Sequence, residues 1–218
     1  MSAEPGESGS RELGLRERKK RQTREMISGI ATGLFLERGF DPVTVAEVAK
    51  AADVSEKTVF NYFPRKEDLF LDRLPQLSEM VTAAVKTRDA KQSVAAAVQG
   101  LLTELVAQRH PISGYADPGY TRFWQVVIDS AALQARAREY VQELEDLLAN
   151  LVAEAEGGQA GQFRARFAAA AIVTAYRTVF FDAARRILSG EDHQVVTAEL
   201  PNQYARAFQA VERALDGL

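Results

Sequence analysis

Residues 44–66, TVAEVAKAADVSEKTVFNYFPRK, read as two short helices joined by a tight turn. Thr44 followed by Glu47 predicts a capping box, in which hydroxyl and carboxylate each satisfy an orphan backbone N–H. Val45, Val48, Ala49 and Ala52 then share one face. Asp53 and Val54 fill the turn. Ser55 caps a second helix predicted over Glu56 to Phe63, and Pro64 stops it by clashing with continued helical backbone. On that helix Val59 and Phe63 stand four apart and face inward, which leaves Lys57, Thr58, Phe60, Asn61 and Tyr62 around the remaining surface.

The charge around this motif is uneven. The net charge is −3, yet residues 11–24 carry Arg11, Arg16, Arg18, Lys19, Lys20, Arg21 and Arg24 against only Glu12 and Glu17. Basic charge beside a two-helix motif with a polar outer face is the footprint of nucleic-acid binding, and the acidic excess lies downstream. With 46% hydrophobic and 26% charged residues, the 218-residue chain has ample material for a core. Cysteine is absent, which excludes disulfides and thiolate metal sites. The start, MSAEPGESGS, lacks the apolar centre of a secretory signal, and the run from Phe167 to Ala175 is too short for a bilayer, so a soluble cytoplasmic protein is expected.

The rest of the chain reads as helices. Residues 1–14, with three glycines and a proline, are expected to form a mobile arm. A helix follows from about Leu15 to Arg38, with Ile27, Ile30, Ala31 and Leu34 on one stripe, and Gly39 at C′ lets Phe40 pack back. After Pro64 comes a connector helix with Leu69, Phe70 and Leu74, which Pro75 is expected to bend or split. Helices are then predicted over Leu77 to Lys86, Ser93 to Gln108 and Tyr120 to Ala132, with a loop over residues 109–119 and a long amphipathic helix to Glu156. The segment from Phe163 to Leu188 is apolar nearly all round. The last helix is expected to open near Pro201 and to place Tyr204, Phe208, Val211 and Leu215 at seam spacing. The expected fold is all-α: a disordered arm (1–14), a three-helix helix-turn-helix domain (15–66) and a helical ligand-binding and dimerisation domain (67–218).

Side-chain chemistry assigns roles on the outer face. Lys suits guanine acceptors, the Thr methyl suits thymine and Asn suits adenine, which nominates Lys57, Thr58 and Asn61 for base edges. Tyr62 and Lys66 at the helix exit suit phosphates, which fix register without reading sequence. Arg16, Arg18, Lys19, Lys20 and Arg21 form a basic arm for the minor groove or the phosphates.

These motifs resemble the N-terminal signature of the TetR family of bacterial regulators. The resemblance covers roughly residues 20 to 70. It is carried by Leu34-Phe35-Leu36-Glu37-Arg38-Gly39-Phe40, the Thr44 box, the Ala51-Ala52-Asp53-Val54-Ser55 turn and Tyr62-Phe63-Pro64-Arg65-Lys66-Glu67-Asp68-Leu69-Phe70. It implies that Thr44, Tyr62 and Lys66 meet phosphates and that Lys57, Thr58, Phe60 and Asn61 face bases; residue 57, where the family often has Gly, is Lys here. It further implies a homodimer through the last two long helices, a double-stranded DNA operator that is pseudo-palindromic, a small hydrophobic effector and action as a repressor.

For that effector, Phe70, Tyr115, Phe123, Trp124, Val127, Tyr176 and Phe180 are candidate pocket residues, with Arg122 or Arg177 as polar anchor. Arg177, a charge inside an apolar helix, is expected to face a cavity or to pair with Asp182 or Glu154. His110 and His193 are far apart and lack partners at ligand spacing, and no nucleophile sits with a base in a motif, so no metal, cofactor or enzymatic activity is expected. The alternative reading is a helical small-molecule-binding or enzyme domain with a repurposed helix-turn-helix.

Overall fold

Side-chain caps set where the two short helices over residues 45–51 and 56–62 begin. The computed structural model describes residues 7–114, 120–157 and 161–217, with side chains from residue 16 onward; every described element is helical and no strand occurs among the described residues. The chain forms two compact units, Met1–Asp72 and Arg73–Leu218.

The first unit contains α1 (Glu7–Arg38), α2 (Val45–Ala51), α3 (Glu56–Tyr62) and α4 (Glu67–Phe70). Thr44 caps α2 with both halves of the capping box present, and the Ser55 hydroxyl caps α3 by accepting from Thr58 N–H at 3.1 Å. Between them Asp53 takes the left-handed conformation, φ +53°. Asp53 N–H then donates to Lys50 O at 3.3 Å and Val54 N–H to Ala49 O at 3.0 Å, the paired bonds of a Schellman turn. Gly39, at φ +86°, ends α1 by donating to Phe35 O at 2.9 Å, and the Phe40 ring packs 4.9 Å from that of Phe35. Ile27, Ala31 and Phe35 form the buried stripe of α1, with Ile30 and Leu34 at its margin, and Val48, Val59 and Phe63 complete the core.

Two expectations about this unit change. Helix α1 begins at Glu7, earlier than the expected Leu15, so residues 7–14 continue a helix; residues 1–6 of the expected arm lie outside the described residues. The connector does not run through Pro75: α4 ends at Phe70 and α5 starts afresh at Leu74, where Pro75 sits in the first turn, the place where its missing N–H costs nothing.

The second unit contains α5 (Leu74–Thr87), α6 (Val94–Ala107), a 3₁₀ turn (Pro111–Ser113), α7 (Tyr120–Asp129), α8 (Ala131–Ala155), α9 (Gln162–Leu188) and α10 (His193–Asp216). Ser130, itself buried, separates α7 from α8 and caps the latter. Helix α9 packs most extensively against α8 and α10. It is long and apolar enough by composition to cross a membrane. It nevertheless carries Arg164, Arg166, Arg177, Asp182, Arg185 and Arg186, and its Ile172, Val173 and Val179 are buried in the core of the unit.

Helix α10 departs most from expectation. It starts at His193, capped by Asp192, whose carboxylate accepts from Gln194 N–H at 2.7 Å, so Pro201 lies inside the helix. An interior proline costs about 3 kcal/mol. Fully burying Val196 and Leu200 in the turns before it gains about 1.5–3 kcal/mol each and offsets that cost. The seam of Tyr204, Phe208 and Val211 is buried within this same unit, with Leu215 at its edge.

Candidate nucleic-acid interface

Helix α3 divides cleanly between anchor and outer face. Val59 and Phe63 are buried, Lys57 and Asn61 are exposed, Phe60 is 46% exposed, and Thr58 and Tyr62 are half-buried at the flanks. Residues 57, 60 and 61 therefore make one solvent-facing stripe at helical spacing, joining an ammonium, a ring and a carboxamide. The Thr58 hydroxyl stands 2.8 Å from Ser55 Oγ within the cap. No hydrogen bond engages the Tyr62 hydroxyl among the described residues.

Thr44 works at the start of α2. Its hydroxyl accepts from Glu47 N–H at 3.2 Å, and its N–H donates to Glu47 Oε2 at 2.8 Å. Arg38, from the last turn of α1, donates to Glu47 Oε1 at 2.8 Å. The Thr44 backbone N–H first, then Arg38 and the Thr44 hydroxyl, hold the Glu47 carboxyl down at about 2, against an ordinary value of 4.5. A depressed carboxyl stabilises the fold above the unfolded value and loses that contribution as pH falls through the folded one. The first unit is therefore expected to lose stability between about pH 4.5 and 2 more steeply than its Glu47→Gln variant. Denaturant unfolding followed at a series of pH values checks this.

Lys66, expected to meet phosphate, is partly buried. Its Nζ donates to Phe40 O at 2.6 Å and to Asp41 O at 3.3 Å, and lies 4.1 Å from the centre of the Phe40 ring and 5.7 Å from that of Phe35. Arg24, given no individual role in the sequence reading, donates from Nη1 to Tyr62 O at 2.7 Å with its guanidinium 4.2 Å over the Phe63 ring. Only its helical phase on the Ile27 side of α1 could have marked it. The neighbouring Arg16, Arg18, Lys19, Lys20 and Arg21 are all exposed on α1. Arg21 lies 4.0 Å from Glu25, an exposed pair of little energetic weight.

The expected effector residues are dispersed. Phe70 is buried in the first unit with its ring edge on Phe35 at 5.7 Å, and Tyr115 lies outside the described residues. Within the second unit, Phe123, Trp124, Phe180 and Tyr176 form a chain of ring contacts at 5.3–5.8 Å, with Val127 buried on the same helix as Trp124. Arg122 and Arg177 are exposed, so Arg177 does not face a cavity. An apolar void of about 10 Å³ lies elsewhere in the core, lined by Leu77, Val81, Val98, Leu144 and Ile172 among others, and of the expected residues only Tyr176 reaches it.

The Tyr176 hydroxyl donates to Ile112 O and that of Tyr204 to Ser113 O, both at 2.9 Å, and burial pushes both hydroxyls' pKa values upward. Gly114 ends this turn at φ +81°, where a Cβ would lie 3.4 Å from the Phe180 ring. Burial, with Arg73 nearby, lowers the pKa of His110, whose Nδ1 accepts from Ile112 N–H at 3.3 Å. No group of three or more potential metal ligands occurs among the described residues.

Comparison with known proteins places this geometry in context. The profile of the family described as bacterial regulatory proteins, tetR family, matches residues 30–72. The HTH-type transcriptional regulator TcmR of Streptomyces glaucescens is 29% identical over 169 residues, 76% of this chain and 75% of that protein. Among solved structures, NalD, the secondary repressor of the MexAB-OprM multidrug efflux pump in Pseudomonas aeruginosa, superposes with a TM-score of 0.53 at 23% identity, covering 86% of this chain and 97% of that one. Thermus thermophilus FadR, a transcriptional repressor solved in complex with lauroyl-CoA, gives 0.50 at 25% identity, covering 86% and 92%.

Proposed function

Because the chain belongs to the TetR family of bacterial regulatory proteins, we propose that it acts in the cytoplasm as a homodimeric, ligand-responsive regulator that represses transcription from a pseudo-palindromic operator. The observation that carries the reading is the outward stripe of α3, Lys57, Phe60 and Asn61, held over a buried Val59–Phe63 anchor. In this reading Lys57, Thr58, Phe60 and Asn61 meet base edges in the major groove, while Thr44 and Tyr62 bond to phosphates. Arg16, Arg18, Lys19, Lys20 and Arg21 contribute the non-specific affinity.

The outer face of α9 supports dimerisation. Phe163, Phe167, Thr174, Thr178 and Phe181 are exposed along one stripe, and Phe163 and Phe167 stack at 6.1 Å. Small residues Ala198 and Ala205 are exposed on α10. Two copies closing these helices into a two-fold four-helix bundle hold the α3 pair at the spacing of successive major grooves, about 34–36 Å.

The effector is a small hydrophobic molecule. The void in the second unit has room for about one water, so ligand entry requires a more open conformer, and the ligand acts by favouring it. The lauroyl-CoA of the FadR complex is one precedent for a molecule carrying an acyl chain bound to a protein of this fold.

Titration of the DNA immediately upstream of the chain's own coding sequence tests the reading. Log affinity is expected to fall with log salt by about 0.9 per phosphate neutralised. Salt-independent binding, or a protein that stays monomeric at micromolar concentration, sinks it. Asn61→Ala is expected to cost about 1–3 kcal/mol and to relax preference at one base position, checked by competition among operator variants.

A further inference from the structure

We propose that Phe60 reads a pyrimidine C5-methyl group inside the half-site, the apolar mark that thymine and 5-methylcytosine share in the major groove; this rests on the DNA-binding reading above. Phe60 is 46% exposed, and no ring or cation contact engages its side chain among the described residues. Its neighbours on the outer face of α3, Glu56, Lys57 and Asn61, are polar and exposed, while Val59 and Phe63 already close the core beneath. Single exposed apolar side chains are ordinary on protein surfaces. This one stands in the middle of the outward stripe of the helix that meets the bases.

What can cover the ring follows from its chemistry. Lys57 donates to base edges, and Asn61 both donates and accepts. A phenyl ring does neither, and without a hydroxyl it cannot turn to a phosphate as Tyr62 can. It gains only by burying apolar area. A base-edge donor or acceptor pressed against it loses water and receives no partner in return. Among the groups that base pairs display in the major groove, the thymine C5-methyl is the apolar substituent, and unmodified G·C pairs lack it. A methyl on cytosine C5 presents an equivalent surface. Phe60 adjoins Asn61 and lies three residues from Lys57, so the methyl is expected on or beside the base pairs that those two residues read.

The test removes the methyl and nothing else. A site is selected with the wild-type protein from a pool of random-sequence duplexes, then rebuilt with deoxyuridine in place of each thymine in turn, which keeps every hydrogen-bonding group. Wild-type affinity is expected to fall about fourfold at one thymine in each half-site, and about sixteenfold when the symmetry-related pair is replaced together. With cytosine at that position, methylation of its C5 is expected to restore about fourfold. Phe60→Ala, its fold checked by circular dichroism, is expected to bind more weakly and to treat the members of each pair alike; lower salt keeps its affinity measurable. A response to thymine alone leaves the methyl readout standing with thymine as its source. Binding indifferent to both substitutions overturns the proposal and leaves the DNA-binding reading intact. A methyl response that persists in Phe60→Ala assigns the contact to another side chain and overturns it too. A pool from which no sequence is enriched sinks the DNA-binding reading, and this inference with it.

Discussion

Phe63→Ala is expected to unfold the first unit at room temperature and to abolish DNA binding while the second unit keeps its own unfolding transition. Phe63 is 1% exposed, it is the C-cap of α3, and its ring carries the Arg24 guanidinium. Truncating a buried phenylalanine costs about 3–5 kcal/mol through lost transfer energy and the cavity left behind. At roughly 0.05–0.15 kcal/mol per residue, that is comparable to the whole stability of a unit of this size. The loss is not repaired locally, because the other inward residue of α3, Val59, is already fully buried. Phe60→Ala, one turn face away and exposed, is the control, expected to stay within about 0.5 kcal/mol of wild type in stability. Denaturant unfolding by circular dichroism, with DNA titration in parallel, distinguishes them. A Phe63→Ala protein that melts like the Phe60→Ala control contradicts the anchor role.

Phe167→Glu is expected to convert the proposed dimer to monomer without disturbing the protomer fold. The residue is 39% exposed on the outer stripe of α9, so a carboxylate there is solvated in the monomer. In a two-fold bundle it is buried twice, once from each copy. An uncompensated buried charge costs about 3–5 kcal/mol, and each 1.4 kcal/mol is tenfold in a dissociation constant, so dimerisation weakens by at least about two decades. DNA affinity falls further than the lost phosphate contacts require, because linked half-sites gain roughly 10²–10⁴ from effective concentration. Sedimentation velocity reads the mass, and circular dichroism reads the fold. A dimer that survives Phe167→Glu places the interface elsewhere.

What the sequence made legible was local. The Thr44 box, the Ser55 cap, the Gly39 stop and the inward pair Val59 and Phe63 each depend on residues within about one helical turn, so their information is contiguous. The tertiary contacts of this unit depend on distant partners. Lys66 finds the Phe40 and Asp41 carbonyls some twenty-five residues back, and Arg24 finds Tyr62 at a separation of 38. Spacing along the chain carries no trace of either. Pro201 read as a helix start, because its cost is local while the burial of Val196 and Leu200 that offsets it is tertiary. The surplus apolar character of α9 was visible. Its division into a face buried in the core and a phenylalanine stripe left outside was not, and neither was the solvent position of Arg177.

Helix α1 is unbroken from Glu7 to Arg38, so the basic residues Arg16, Arg18, Lys19, Lys20 and Arg21 and the buried stripe Ile27, Ala31 and Phe35 ride on one rod. A mobile arm would have to order itself on the duplex, and such coupled folding costs about 2–5 kcal/mol and adds a large negative heat-capacity change. A preformed helix carries its charges already arranged, with their rotational phase fixed relative to α3. In the proposed complex its electrostatic contact is made at little entropic expense, and binding through it is expected to vary only weakly in enthalpy with temperature.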